Sequence, residues 1–271
     1  MPLPARNPRF RAISRLAGEA IGTYRMIVPG DKILVGLSGG KDSLSLMHVL
    51  EHLRRRSPVP FSIVAATFDP GFDGLDVAGI RAYCERQGWA HRVASCPVAE
   101  MVRGRGLEEI PCSFCSRLRR GYLYRLAGEE GCTKLALGQH LDDVCASLLM
   151  SLFRGGGLKT MGPNILGDGG RIRVIRPLCL VTEAALKELA GELEYPDFGR
   201  CDYEDRLDAE GDRAFLETLV AQLDQRFSNV RAHMLHSLGD VRLRHLFDRR
   251  YLAAAAGGRL ADADEAEEAE A

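Results

Sequence analysis

The sequence has 271 residues, of which 46% are hydrophobic and 27% charged. This balance is ordinary for a globular protein and allows a sizeable core without disulfides. The first apolar-rich stretch, residues 12–28, is interrupted by Arg15, Glu19 and Arg25. These charges argue against a signal peptide and against a membrane span, so we expect a cytoplasmic protein with no membrane partner.

The first predicted element is a helix over residues 7–26. Apolar, β-branched runs then alternate with helical patterns. Strands are predicted over 32–37, 61–67, 91–95, 134–138 and 171–178, and helices over 43–55, 74–87, 112–130, 141–153 and 182–193. This alternation predicts an α/β fold with a doubly wound parallel sheet, which binds ligands at the carboxyl ends of its strands.

The pattern after residue 209 is helical only, with the second of two helices predicted over 231–251. The last eleven residues hold six acids and no bases, and such a segment has too little to bury to fold. We therefore predict an N-terminal helix (1–28), an α/β domain (29–195), a C-terminal helical segment (196–257) and a disordered acidic tail (258–271).

The most specific local motif is Ser38-Gly-Gly-Lys-Asp-Ser43, between the first strand and its helix. Gly39 and Gly40 let backbone N–H groups turn toward an anion, and the helix N-terminus adds its dipole. Ser38, Lys41 and Ser43 supply further donors, and Asp42 can hold Mg²⁺ at bound phosphates. The loop is not of the GxxxxGK[ST] type, because Val35 stands where the first glycine belongs. A glycine-rich turn without a ligand is the alternative interpretation.

This loop resembles the PP-loop of the adenine-nucleotide α-hydrolase-like superfamily. The resemblance implies that ATP is split between its α and β phosphates, that AMP passes to the substrate, and that Lys41 and Asp42 take part in catalysis. It further implies that adenine lies near the end of the second strand and near the end of the fourth. The residues expected there are Ala66, Thr67, Phe68 and Gly138.

Asp142 and Asp143 open a helix just beyond the fourth strand. Paired carboxylates at that position can bind Mg²⁺ or orient a substrate, and we predict a catalytic role for both. The alternative is an N-terminal cap with a favourable contact to the helix dipole. His140 can approach the nucleotide or serve as a cap or packing residue.

Three of the eight cysteines are candidate ligands. Cys112 and Cys115 form a CxxC pair, which is a weak signal alone, and Cys201 is the later cysteine in a polar, turn-like context. Three thiolates can hold a [4Fe–4S] cluster by three corners and leave one iron open, whereas full ligation uses four cysteines. The remaining five are predicted to be small buried residues: Cys84, Cys96, Cys132, Cys145 and Cys179.

Four stretches, in order, resemble the tRNA-cytidine(32) 2-sulfurtransferase family: residues 30–43, 112–124, 138–156 and 159–178. The resemblance implies an enzyme that binds a tRNA anticodon loop and activates the 2-oxo group of cytidine with ATP. It then replaces the oxygen with sulfur delivered at a [4Fe–4S] cluster on Cys112, Cys115 and Cys201. A sulfur donor such as a cysteine desulfurase, and a homodimer, follow by the same analogy.

The sequence departs from that family at Glu204, where a second CxxC cysteine is usual, and at Gln139, where a histidine is usual. The chain after Asp202 is also unlike it. Two other functions therefore stay open: a PP-loop ligase of the lysidine-synthetase type, with a structural zinc or none, and a non-catalytic RNA-binding relative. Arginines that follow the cysteine pair, and those near the two termini, predict a surface for tRNA phosphates, with a solvated face as the alternative.

Overall fold

The computed structural model describes residues 6–105, 111–167, 169–201, 203, 211–242 and 245–247. Its strands are β1 (Lys32–Gly36), β2 (Ser62–Asp69), β3 (His91–Ser95), β4 (Lys134–Ala136), β5 (Asn164–Leu166) and β6 (Arg173–Ile175). Its helices are α1 (Pro8–Thr23), α2 (Lys41–Arg54), α3 (Val77–Gln87), α4 (Val98–Arg105), α5 (Pro111–Glu129), α6 (Leu141–Phe153), α7 (Glu183–Glu192), α8 (Asp212–Arg226) and α9 (Val230–Gly239).

The strands form one sheet in the order β3-β2-β1-β4-β6-β5, and every pair is parallel except β5 with β6. The chain winds outward from β1 to β3 and then resumes on the other side of β1 with β4. This reversal opens a crevice beyond the carboxyl ends of β1 and β4, where doubly wound sheets bind their ligands. The predicted fold class is confirmed.

The centre of the sheet is buried on both faces, as a parallel sheet under two helical layers requires. Ile33, Leu34 and Val35 of β1 are fully buried, and on one face Leu34 packs in a cluster with Leu123 of α5 and Leu135 of β4. The apolar run read from the sequence therefore forms the central strand, which fixes where the following loop emerges.

The structure corrects several predicted elements. The strand predicted over 171–178 is only β6, and the neighbouring β5 and the helix α4 were not predicted. Both residues Ile165 and Leu166 of β5 are exposed, so this strand lacks the alternation that marks a half-buried strand. The helix predicted over 231–251 ends at Gly239, beyond which the N–H of Asp240 donates to the carbonyl of His236 at 3.0 Å.

The chain up to Arg231 forms one compact unit. A second unit begins at Ala232, and the structure describes its residues 232–242 and 245–247. The predicted domain boundaries stay predictions, and the predicted disordered tail, 258–271, lies outside the described residues.

Candidate active site

The glycine-rich loop emerges from the carboxyl end of β1 and leads directly into α2. Gly39 has φ +88°, and a Cβ there would lie 2.9 Å from Ile80 and 3.2 Å from Phe198, so only glycine fits. Gly40 is the N-cap of α2 and makes no side-chain cap, which leaves the helix N-terminus to an incoming anion. The Ser43 hydroxyl donates to the carbonyl of Gly40 at 2.9 Å and accepts the N–H of Ser38 at 3.1 Å, so it holds the turn closed.

Gly138, beyond β4, lies against this loop. A Cβ at Gly138 would lie 3.0 Å from the carbonyl carbon of Asp42, so glycine permits the β4–α6 turn to approach the start of α2. The close approach also brings the ring of His140, on the same turn, within the electrostatic influence of Asp42. The crevice predicted from the topology is therefore narrow and lined by both turns.

Two buried polar atoms in this crevice have no hydrogen-bond partner among the described residues: Oδ1 of Asp42 and Nδ1 of His140. An unpaired buried polar atom costs about 1–3 kcal/mol, and a charged one costs more. Burial lowers the pKa of His140 from its usual value, against the raising influence of Asp42 and Asp142. Nδ1 of His140 lies 3.5 Å from Oδ2 of Asp143 and 3.7 Å from Oδ2 of Asp142, so Oδ1 of Asp42 is the atom that the crevice offers to a ligand.

Lys41 is held between two carboxylates. Its Nζ lies 3.1 Å from Oδ2 of Asp42 and 3.0 Å from Oε1 of Glu183. Burial alone would lower the pKa of Lys41, but these two carboxylates outweigh it and the pKa is raised. Glu183, the first residue of α7, was missed in the sequence. The sequence did contain a signal for Glu183. It is a charged residue directly after Thr182, the N-cap of a helix that follows a strand of the sheet.

We expect Glu183→Gln to raise the KM for ATP about tenfold with little change in kcat, because the Lys41 ammonium loses one of the two carboxylates that hold it. The amide variant keeps the length of the side chain and the backbone N–H of residue 183. Steady-state pyrophosphate release at varied ATP measures both constants. Lys187→Gln is the matched control, since Lys187 also pairs with Glu183, at 3.2 Å, but does not touch Lys41. Equal kinetics in the two variants would contradict a positioning role for Glu183.

Asp142 and Asp143 are both engaged within the protein. Asp142 accepts the N–H of Glu183 at 2.7 Å and the Nε–H of Arg231 at 2.5 Å. Asp143 accepts the N–H of His140 at 2.7 Å and pairs with Arg213. These contacts match the capping interpretation, and they tie α6 to α7 and to the residues around α8. A catalytic role for either carboxylate stays a prediction.

Three of the four residues expected near adenine lie inside β2 rather than beyond it, because the strand runs to Asp69. Ala66 and Thr67 are buried, and the Thr67 hydroxyl donates to the carbonyl of Leu37 at 2.9 Å. Phe68 belongs to a buried cluster with Ala94 and Cys96. These three residues therefore shape the wall beside the loop, and their contact with adenine stays a prediction.

The three candidate cysteines differ from the other five in exposure. Cys112, Cys115 and Cys201 are partly exposed, whereas the remaining cysteines are buried, as predicted. Burial raises the pKa of Cys115 to about 11, and the neighbouring thiols of Cys201, Cys112 and Cys96 act in the same direction, against Arg119. In the described part of the chain, no three His, Cys, Asp or Glu side chains are already grouped for a metal ion. The thiols share a neighbourhood without forming a ligand set.

The segment after α7 connects the cysteines to the glycine-rich loop. The carbonyl of Phe198 accepts the N–H of Asp76 at 2.7 Å, and the Cβ of Phe198 lies against Gly39. Cys201 follows three residues later, so its Cα lies within about 11 Å of that contact. The Sγ of Cys112 in turn lies 3.8 Å from the carbonyl of Tyr203. One edge of the sheet therefore carries both the glycine-rich loop and the three candidate cysteines.

Comparison with known proteins identifies the family. A family described as a PP-loop domain (ATP_bind_3) matches residues 5–196. The tRNA-cytidine(32) 2-sulfurtransferase of Syntrophotalea carbinolica is 40% identical over 243 residues, covering 88% of this chain and 92% of that protein. The tRNA-cytidine(32) 2-sulfurtransferase of Sorangium cellulosum is 41% identical over 245 residues, covering 88% of this chain and 84% of that protein. The chain belongs to the tRNA-cytidine(32) 2-sulfurtransferase family.

Among solved structures, the U34-tRNA thiolase NcsA from Methanococcus maripaludis, with its [4Fe–4S] cluster, matches with a TM-score of 0.69. It is 24% identical, and the match covers 88% of this chain and 80% of that one. This likeness concerns the fold, which the 2-sulfurtransferase family shares. The resemblance predicted from the four sequence stretches is confirmed by the family match.

Of the two residues at which the sequence departs from the family pattern, Gln139 lies within the described part of the chain. Gln139 accepts the Nε–H of the buried Arg176 at 2.5 Å, so it fixes a cation at the end of β6. Glu204 lies outside the described residues.

Among the described helices, none is long and apolar enough to cross a membrane.

Proposed function

We propose that this chain is an ATP-dependent tRNA sulfurtransferase that converts a cytidine 2-oxo group into a 2-thio group. The observation that carries the proposal is the shared edge of the sheet, where the glycine-rich loop contacts Phe198 on the segment that leads to Cys201 and where Cys112 contacts the carbonyl of Tyr203. Membership of the 2-sulfurtransferase family supports the same reaction.

In the first step, the cytidine O2 attacks the α-phosphorus of ATP and pyrophosphate leaves with the bonding electron pair. The N-terminus of α2 and the Lys41 ammonium bind the phosphates and stabilise the charge on the leaving group. Oδ1 of Asp42, which is buried and unpartnered, fits a site that a hard cation completes, and we propose that it holds Mg²⁺. The metal would neutralise phosphate charge during this step.

In the second step, a sulfur nucleophile attacks C2 of the adenylated cytidine and AMP departs with the electron pair of the C2–O bond. Adenylation is required because a carbonyl oxygen is a poor leaving group. We propose that Cys112, Cys115 and Cys201 hold a [4Fe–4S] cluster, which would offer an open iron for the incoming sulfur. The protein's part is to place this cluster and the adenylated base at the same edge.

The substrate in this proposal is a tRNA anticodon loop, and the sulfur comes from a donor such as a cysteine desulfurase. The reaction is expected to take place in the cytoplasm. A homodimer follows from the resemblance alone and stays a prediction.

The test is production of 2-thiocytidine in a bacterial strain that lacks its own cytidine thiolase. The chain is expressed from a plasmid, and digested tRNA is analysed by mass spectrometry beside an empty-plasmid control. We expect 2-thiocytidine only with the chain. Its absence, combined with iron and sulfide in protein purified without oxygen, would shift the proposal to another thiolated nucleotide.

Absence of both 2-thiocytidine and iron would favour the alternative of a PP-loop ligase without a cluster. Zinc in place of iron, in a colourless protein, points the same way. If no tRNA supports pyrophosphate release at all, the non-catalytic RNA-binding alternative takes its place.

A further inference from the structure

A cavity of about 480 Å³ lies along α6, apart from the glycine-rich loop. One wall is the α6 face from Asp143 through Ser147 to Arg154, residues that share one side of the helix because they are spaced by three and four. Gly156 and residues 159–161 form the facing wall, and Arg213 of α8 also lines the cavity. We name it the α6 pocket. Its volume is within the range of small-ligand sites, about 300–1,000 Å³.

The facing wall is fixed to the helix by hydrogen bonds. The Ser151 hydroxyl donates to the carbonyl of Gly157 at 2.8 Å, and the Thr160 hydroxyl donates to the carbonyl of Val144 at 2.7 Å. The N–H of Gly156 donates to the carbonyl of Ser151 at 2.7 Å. The pocket is therefore formed before any ligand arrives, which lowers the entropic cost of binding.

The floor of the α6 pocket is apolar. Ala146, Met150 and Met161 line it, and methionine presents a soft, polarisable surface that suits a flat ring. None of the pocket residues belongs to the loop 38–43 or to the three candidate cysteines. A base bound on this floor would therefore contact neither the loop nor those cysteines, and Asp143 is the predicted catalytic residue that the pocket lining includes.

The rim of the α6 pocket has three cations, Arg154, Lys159 and Arg213, and Arg213 is already paired with Asp143 of the lining and with Glu217. Arg154 pairs with Asp212, but the two side chains are 68% and 54% exposed, and such a pair adds little stability and can exchange for another anion. Lys159 is exposed and has no ion pair with any described residue. The rim can therefore accept a phosphate.

We infer that the α6 pocket binds one unstacked nucleotide of the tRNA, a neighbour of the nucleotide that is modified; this rests on the proposed function. The apolar floor takes the face of the base, as in recognition of single-stranded RNA loops, and the rim pairs with the adjoining phosphate. Asp143 connects the α6 pocket to the crevice beyond β1 and β4, because its carboxylate also accepts the backbone N–H of His140. A nucleotide held here leaves the next one free to reach Asp42.

The first test fills the pocket. Ser147, which is partly buried and faces the cavity, is changed to phenylalanine, with Ser147→Ala as the matched control that keeps the space open. We expect Ser147→Phe to weaken binding of an anticodon stem–loop about tenfold and Ser147→Ala less than twofold. Binding of Mg·ATP, measured by calorimetry, should be unchanged in both variants.

The second test locates the nucleotide. Stem–loops with a single abasic site on either side of the target cytidine are titrated against both proteins. One abasic site should weaken binding to the wild type yet add no further loss with Ser147→Phe, because the base and the pocket act as one unit. Abasic penalties that are the same in both proteins would overturn the inference.

The third test examines the rim and does not depend on how Ser147→Phe folds. Lys159→Gln should reduce the slope of log affinity against log salt by about 0.7, the value for one contact to a single-strand phosphate. Arg81→Gln, an exposed change on α3, should leave the slope unchanged. If Lys159→Gln leaves it unchanged too, the rim does not bind phosphate and the inference is wrong.

A second copy of the chain is the rival occupant. If Ser147→Phe converts a dimer to a monomer in sedimentation while the affinity for RNA is kept, the pocket is an interface between copies and the inference fails. If the wild type forms 2-thiocytidine and Ser147→Phe matches it in binding and thiolation, only the pocket assignment falls. If the wild type thiolates no tRNA, the proposed function falls first.

Discussion

Asp42→Ala is expected to reduce pyrophosphate release about a hundredfold or more while leaving the protein folded and its iron bound. In the structure, one oxygen of this carboxylate lies 3.1 Å from Nζ of Lys41 and the other is buried without a partner. In the proposed function this carboxylate holds the Mg²⁺ that would neutralise phosphate charge, and loss of such a contribution has effects of this size. A residue retained only for stability would not keep an unpaired buried oxygen, which is a cost to folding.

The same carboxylate makes opposing contributions to stability. Because alanine removes both the unpaired Oδ1 and the ion pair with Lys41, in a side chain that is 29% exposed, we expect the free energy of unfolding to change by no more than about 1 kcal/mol. Urea titrations of the two proteins measure this difference. Loss of activity combined with retained stability separates a site residue from a structural one.

Asp73→Ala is the matched control for Asp42→Ala. Asp73 is exposed on the loop that follows β2, so the control makes the same chemical change near the same edge of the sheet. Pyrophosphate release should stay close to wild type. An Asp42→Ala protein that retains more than about a tenth of the wild-type rate, or that no longer folds, would contradict the proposed role of Asp42.

The central part of the site could be predicted because local sequence dictates it. A buried apolar strand followed by two glycines and a helix start has few alternative conformations, and the order of strands and helices places that turn at a sheet edge. The left-handed φ of Gly39 and the close approach at Gly138 both require glycine, so the residue type at these two positions indicates them. Cys112 and Cys115 were proposed as ligands from their CxxC spacing, and their partial exposure is a finding of the structure.

The long-range contacts could not be predicted in this way. Lys41 and Glu183 are far apart in sequence and meet only because α7 starts beside α2 in the folded chain. Arg231 reaches Asp142 for a similar reason. An aspartate at a helix start has the same appearance whether it caps the helix or holds a metal ion, so the sequence left both interpretations of Asp142 open. The α6 pocket depends on three separate segments and leaves no local pattern.

Cys201→Ala is expected to remove the iron and abolish thiolation while ATP still binds with near wild-type affinity. Cys112 and Cys115 lie on one helix and provide two thiolates, so a cluster held at three corners needs a third from elsewhere. Cys201 is partly exposed and influences the pKa of Cys115, and the segment that carries it contacts Gly39 through Phe198. Iron and acid-labile sulfide in protein purified without oxygen, and calorimetry with Mg·ATP, measure the two effects.

The sharpest control is Cys96→Ala, because Cys96 influences the pKa of Cys115 but lies outside the proposed three-cysteine set. Its side chain is 2% exposed and packs with Phe68 and Val98, so we expect the variant to lose about 1 kcal/mol of stability but to keep its iron. Full iron in Cys201→Ala would show that the three-cysteine set is wrong. Iron loss in both variants would instead indicate four thiolate ligands, and a cluster closed in that way would have no iron open to sulfur.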